Sequence, residues 1–321
     1  MEGIKVIKRP KLRDPYFIVA WPGMGEVAFK SAQYLMEVFK AEACAELLAD
    51  EFFYPTSGIV QNGVLSLPEL PYGKFYYWKN KSGKNDLVIF VSNAQPDLSG
   101  AELYCERILS YAKSIKAKAL VSIAAMPQPI EHTQEANVWV TATSADLINS
   151  LKKYNLNILS DGQISGMNGL FLGIAKKAGF QGFCLLGEIP LYTIQIENPK
   201  AACAVLEALA KILEVHIELG SLLTQAHIME DEINKLMDYL KLGTPLGPIG
   251  EEEIEKIKKS LSQITKLPAS VKEKIDALFS QAKTDISKAK ELKLELDKWN
   301  VYKEYEDRFL DLFKKKRDNN N

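Results

Sequence analysis

Leu87-Val88-Ile89-Phe90-Val91 and Ala119-Leu120-Val121-Ser122-Ile123-Ala124 are two nearly unbroken apolar runs. Runs of this kind suit central strands of a sheet covered on both faces. To either side of them, β-rich runs and helical stretches alternate from residue 1 to about 242, as in an α/β sheet with helices on its faces. The strands read as Tyr16 to Ala20, Ala43 to Ala49, Val64 to Leu67, Lys74 to Lys79, Val138 to Ala142 and Phe183 to Gly187, besides the two runs above. Helices are expected over Gly25 to Phe39, Leu98 to Ile115, Ala145 to Lys153, Gly169 to Lys177, Pro199 to Leu213 and Ser221 to Leu240. The segment from Tyr76 to Val88 reads as a hairpin through a polar turn at Gly83, so antiparallel pairs are mixed into the sheet.

The 321 residues suffice for about two domains, and 47% apolar with 25% charged residues excludes disordered and fibrous classes. Forty basic against 41 acidic residues leave a net charge of −1, too little field to draw in nucleic acid or an anionic membrane. No stretch approaches the roughly 18 apolar residues of a membrane span, and Met1-Glu2-Gly3-Ile4-Lys5 opens no signal peptide, so a cytoplasmic location is expected. Cys44, Cys105, Cys184 and Cys203 are scattered through apolar segments without a CxxC pair, which fits reduced core thiols.

Composition changes near Gly243 to Gly250, where Gly and Pro crowd together as a linker between a 1–242 body and a 251–321 extension. The extension carries 17 basic and 15 acidic residues, and its apolar positions recur at helical steps. Ile254, Ile257, Leu261 and Ile264 mark one amphipathic helix. Ile275, Leu278, Leu292, Leu296 and Trp299 mark a second, starting near Ser270, and Tyr302, Tyr305, Phe309 and Phe313 a third. Stripes this narrow need cover, from the body or from another chain, so these side chains are the candidate partner-facing surface.

In such sheets ligands gather where strands end and helices begin. Four loops of that kind stand out. Pro22-Gly23-Met24-Gly25 follows a strand and opens a helix, but lacks the third glycine of a dinucleotide fingerprint and the ending of a P-loop. Ser92-Asn93-Ala94-Gln95-Pro96-Asp97 presents amides, with Asp97 reading as a cap. Asp161 to Gly169 holds Ser165, Gly166 and Asn168, and Gly187-Glu188-Ile189-Pro190 places a carboxylate at a strand end. Gly23, Met24, Gly25, Asn93, Gln95, Ser165, Gly166, Asn168 and Glu188 are therefore the candidate ligand pocket, with Glu188 the nearest thing to an acid or base. His132, His216 and His227 have no metal-ligand spacing, and no GxSxG elbow accompanies His132. No metal, cofactor or catalytic set is read.

Pro22-Gly23-Met24-Gly25, the Gln95-Pro96 strand end, the Gly162 to Gly169 loop, and Leu185-Leu186-Gly187-Glu188-Ile189-Pro190-Leu191-Tyr192 followed by Asn198-Pro199-Lys200 together resemble the proteasome assembly chaperone family over about residues 14–240. The resemblance implies a three-layer α/β/α sandwich with a mixed sheet related in shape to nucleoside phosphorylases, here with a C-terminal helical extension. It implies a homo-oligomer, trimer or tetramer, that acts through surfaces and binds proteasome α subunits or another assembling protein. A hydrophobic-Tyr-any ending, by which archaeal members dock on the α ring, does not stand in Lys314 to Asn321, so docking by the tail is not expected. The alternative is a binder or enzyme for a nucleotide or anion, using the cleft near Gly23, Asn168 and Glu188.

Overall fold

The structure, a computed structural model, describes residues 2–48, 51–55, 58–242, 269–298 and 302–313. The expected linker, the stripe from Ile254 to Ile264, Trp299 and the ending from Lys314 lie outside the described residues. By contact density the chain divides into two units, Met1–Pro245 and Leu246–Asn321.

In the first unit the two apolar runs become strands β7 (Leu87–Ser92) and β8 (Ala119–Gln128), and both lie at the centre of a nine-stranded sheet. Between them runs β2 (Tyr16–Ala20), parallel to each, with Ile18 opposite Ile89 on one side and Val121 on the other. β11 (Gly182–Pro190) continues the parallel core beside β8. Antiparallel strands extend one edge: β6 (Gly73–Trp78) on β7, β3 (Glu42–Leu47) on β6, and β1 (Ile4–Val6) on β3. At the other edge β9 (Val138–Ala142) is antiparallel to β11, and β10 (Asn157–Ile158) is parallel to β9. The hairpin expected from Tyr76 to Val88 is the β6–β7 pair.

Alternation along the strands sorts the core into two layers. Phe17, Val19, Val88, Phe90, Leu120, Cys184 and Leu186 pack with α2 (Ala101–Ser114) and α4 (Met167–Lys177). The intervening Ile18, Ile89, Val121, Ile123 and Leu185 are equally buried, on the opposite side of the sheet. There α1 (Val27–Val38) and α5 (Pro199–Leu213) pack together, and α6 (Gly220–Leu242) lies on α5. This is the expected three-layer α/β/α sandwich with a mixed sheet; α3 (Ala145–Leu151) completes its helices beside β9. The strand Val64 to Leu67 is not part of it. That stretch forms β5 (Val64–Ser66), which among the described residues pairs with β4 (Ile59–Gln61) alone, in a separate two-stranded hairpin.

The second unit has its own core. Helix α7 (Ala269–Thr284) ends where Asp285 accepts a hydrogen bond from the Ser287 N–H at 3.0 Å, so the single helix expected up to Trp299 is two. α8 (Ala289–Lys298) and α9 (Tyr302–Leu310) follow. Ile275, Leu278, Leu292 and Leu296, read as partner-facing, are spent here on one another and on Phe279 and Phe309. Among the described residues, Ile286, Leu294, Leu310 and Phe313 are the large apolar side chains this unit leaves exposed. Because both units close separate cores, a chain ending at Gly250 is expected to keep the body's cooperative thermal transition within a few degrees of its temperature in the full chain. Loss of that transition in calorimetry would show that the body needs the extension.

Candidate functional site

At the C-terminal ends of the parallel strands, three of the four loops meet. Trp21, fully buried after β2, packs its ring against Phe90, Tyr104 and Phe171 and donates its indole N–H to the Tyr104 hydroxyl at 3.2 Å. The chain then turns through Pro22 and Gly23 into α1. Asn168, in the first turn of α4, spans this corner: its Oδ1 accepts from the Trp21 N–H and its Nδ2 donates to the Trp21 carbonyl, both at 3.1 Å. Gln95 makes a second clip, donating to the Pro22 carbonyl at 2.8 Å and accepting from the Met167 N–H at 3.0 Å. Gly166 has φ +75°, and a Cβ there would stand 3.0 Å from Gln95 Oε1, so the clip and the loop require glycine. Gly23, Gly166, Gln95 and Asn168 are thus brought together, with Met24 and Ser165 half-buried beside them in sequence. Asn93 turns away to accept from the Tyr72 N–H at 2.8 Å. Asp97 is a local cap, accepting from the Ser99 N–H at 2.8 Å.

Gly25 binds the loop on the other side. With φ +61° it donates to the Ile194 carbonyl at 2.7 Å and accepts from the Asn198 N–H at 2.8 Å. Asn198 also caps α5, accepting from the Ala201 N–H at 3.0 Å, with Pro199 at the first helical position. In the sequence, Asn198-Pro199 stands only among the residues that carry the family resemblance. Glu26 follows in a left-handed conformation, φ 52°, and is half-buried. Burial first, and then the charge of Glu197, hold its carboxyl above the usual range. An acid whose pKa is raised on folding is least favourable above that pKa, and the penalty disappears as pH falls toward its unfolded value. Glu26→Gln is therefore expected to melt higher than the parent at pH 8, with the gap closing by about pH 4.5. Scanning fluorimetry from pH 4 to 8 checks this, and a lower melting point at pH 8 would contradict it.

Glu188 is 6% exposed, on β11, and all its bonds go to one neighbourhood. It accepts from the Asn137 N–H at 3.2 Å, Asn137 Nδ2 at 2.8 Å and Trp139 Nε1 at 2.6 Å. The carboxylate read as a candidate acid or base is held by three donors in a side-chain network. It borders a cavity of about 20 Å³, room for one water, with His132, Lys200 and Glu230 in its wall. His132 sits between the Tyr192 hydroxyl on Nδ1 and Asn234 Oδ1 on Nε2, each at 2.8 Å. Lys200 donates to the His132 carbonyl at 2.7 Å and pairs with Glu230 of α6. This cluster fastens α6 to the strand ends; the sequence offered no sign of Asn234 or Glu230.

All four cysteines are buried, and burial pushes the thiols of Cys105 and Cys184 up to about 12 and that of Cys203 up to about 11. Thiols so placed supply no nucleophilic thiolate at neutral pH. Among the described residues no three His, Cys, Asp or Glu side chains are grouped to hold a metal ion, and no helix is long and apolar enough to cross a membrane.

These features define a three-layer α/β/α protein whose glycine-and-amide corners join its own strand ends. The chain belongs to the PAC2 family, whose model matches residues 17–237. PbaB of Pyrococcus furiosus, an archaeal proteasome activator, superposes with a TM-score of 0.63 at 30% identity, over 73% of this chain and 98% of that one. PbaA of the same organism, an archaeal homolog of proteasome-assembly chaperone, has the same fold at 22% identity, with a TM-score of 0.57 over 81% of this chain and 99% of its own. The uncharacterized protein MJ1210 of Methanocaldococcus jannaschii is 28% identical over 265 residues, which is 79% of this chain and 98% of that protein. The resemblance seen in the Pro22 to Gly25 turn and the Gly187 to Tyr192 segment is one of family.

Proposed function

We propose that the protein is a proteasome-assembly chaperone that works as a homo-oligomer, through protein surfaces and without turnover of a small molecule. Its partners are then further copies of itself and proteasome α subunits, in the cytoplasm, with the 251–321 extension serving as an arm for one of these contacts. The likeness to PbaB and PbaA supports the proteasome link. The observation that carries the surface reading is the corner itself: both amides aimed at the strand ends, Asn168 and Gln95, are occupied by backbone groups of neighbouring loops. A ligand site needs polar groups free to meet a ligand, and these already bond the protein.

Mixing the full-length chain with separately purified α subunits tests it. Co-migration on native gels near 10 µM, with faster appearance of α rings, is the expected result. Absence of both, or measurable turnover of a metabolite bound at Gly23, Asn168 and Glu188, would overturn the reading.

A further inference from the structure

The other end of the body, where the parallel strands begin, holds a cavity. On the face that carries α5, Tyr16 of β2 stands in register with Ala119 of β8, and Phe183 of β11 lines the same space. Alanine puts little bulk between the two aromatic side chains, so a hollow is left between α3 and the end of α5. It measures about 600 Å³, within the roughly 300–1,000 Å³ of small-molecule sites. Its floor is apolar and buried: Ala119, Leu151, Phe183 and Ile212. Tyr16 and Tyr154 stand half-buried in its wall, each with an ammonium 4.9 Å from its ring centre, Lys118 over Tyr16 and Lys153 over Tyr154.

We propose that this cavity binds a small amphipathic organic anion, its apolar body on the floor and its charged head on Lys118 and Lys153. Unlike the amides of the corner, these two groups have donors to spare. Lys118 gives one hydrogen bond to Asn85 Oδ1 at 3.1 Å, and among the described residues neither lysine is paired with a carboxylate. The hydroxyls of Ser144 and Ser150, by contrast, already donate to Gln181 Oε1 at 3.0 Å and to the Leu147 carbonyl at 2.7 Å. Among the described residues Asp146 is the one carboxylate in the wall. The surroundings add to the cationic balance. Residues 11–15, 79–86 and 115–118, which lead into β2, β7 and β8, hold seven basic and two acidic residues in a chain of net charge −1. One of those acids, Asp86, is buried and accepts from the N–H groups of Arg13 and Asn80, at 2.7 and 2.9 Å. This end therefore draws anions although the whole molecule does not. An ion of phosphate size would leave the apolar floor wet, and an uncharged ring would leave the lysines without a partner. The inference goes beyond the reading above and stands whether or not the proteasome link holds.

The probe for the test is 8-anilinonaphthalene-1-sulfonate, titrated into the full-length chain and followed by calorimetry and fluorescence. One molecule is expected to bind per chain, with a Kd below about 100 µM in dilute salt and weaker binding as salt is raised. Lys118→Met and Lys153→Met are each expected to weaken it about tenfold, the loss of one hydrogen bond to a charged group. Ser150→Trp, at an exposed position in the cavity wall, is expected to abolish it. Lys81→Met, at the same basic end but outside the cavity, is expected to bind like the parent. Each of these changes an exposed side chain, so all four variants are expected to melt within a few degrees of the parent. N-phenyl-1-naphthylamine, the same rings without the sulfonate, is expected to bind at least about tenfold more weakly. The dye also settles on exposed apolar surface such as the β4–β5 hairpin. Binding that survives Lys118→Met, Lys153→Met and Ser150→Trp would therefore place it elsewhere and overturn the inference. Equal affinity for the uncharged rings, or no saturable binding up to about 1 mM, would overturn it as well.

Discussion

Asn168→Ala is expected to lower the stability of the body by about 2–4 kcal/mol, since it strips partners from two buried backbone groups of Trp21 at about 1–2 kcal/mol each. In a unit of this size that corresponds to a fall in melting temperature of roughly 5–12 °C, read by calorimetry. Asn168→Asp serves as the shape-preserving control. It keeps an acceptor for the Trp21 N–H but sets a carboxylate oxygen against the Trp21 carbonyl, so it is expected to be no better than alanine. The sign of the result separates the two functional readings. A side chain kept for ligand binding is commonly neutral or stabilising to remove, because sites sacrifice stability for function. A melting point unchanged within a degree would therefore count against the structural role of the clip.

Trp21→Ala is expected to cost still more, about 3–5 kcal/mol, the range for truncating a large buried aromatic. The indole is fully buried, lies 5.6 Å from the ring centres of both Phe90 and Phe171, and its removal also leaves the Tyr104 hydroxyl without its donor. Trp21→Phe is expected to lose less than half of this. Denaturant midpoints of both variants supply the numbers, and a loss under 1 kcal/mol for alanine would mean that the core refills the space. The two substitutions act on one residue's ring and backbone, so their combined cost is expected to fall short of the sum.

The centre of the fold was legible because its signal is local. Nearly unbroken apolar runs identify β7 and β8 as central strands, and β2 has the limits read for it, Tyr16 to Ala20. β1, β4 and β10 escaped, being two or three residues long and strands only through what they pair with; β1 meets β3 about forty residues further along. The Asn62-Gly63 turn was the available clue to the hairpin, and only its second strand was read. At the corner, sequence picked out the right residue types. It did not foretell that Asn168 would bond a backbone 147 residues away, or that the Trp139 indole would occupy Glu188. Both pairings are fixed by which strands become neighbours. In the extension the helical steps were visible, but Asp285 interrupts them and lets α7, α8 and α9 fold onto each other.

A nine-stranded sheet has two rims, and each is an invitation to add further backbone. Here both rims end in stubs, three residues of β1 and two of β10, so an incoming chain finds almost nothing to zip onto. Growth into fibres from the rims is thereby blunted at any concentration, and the protein can crowd together in number without its main sheets running on into one another.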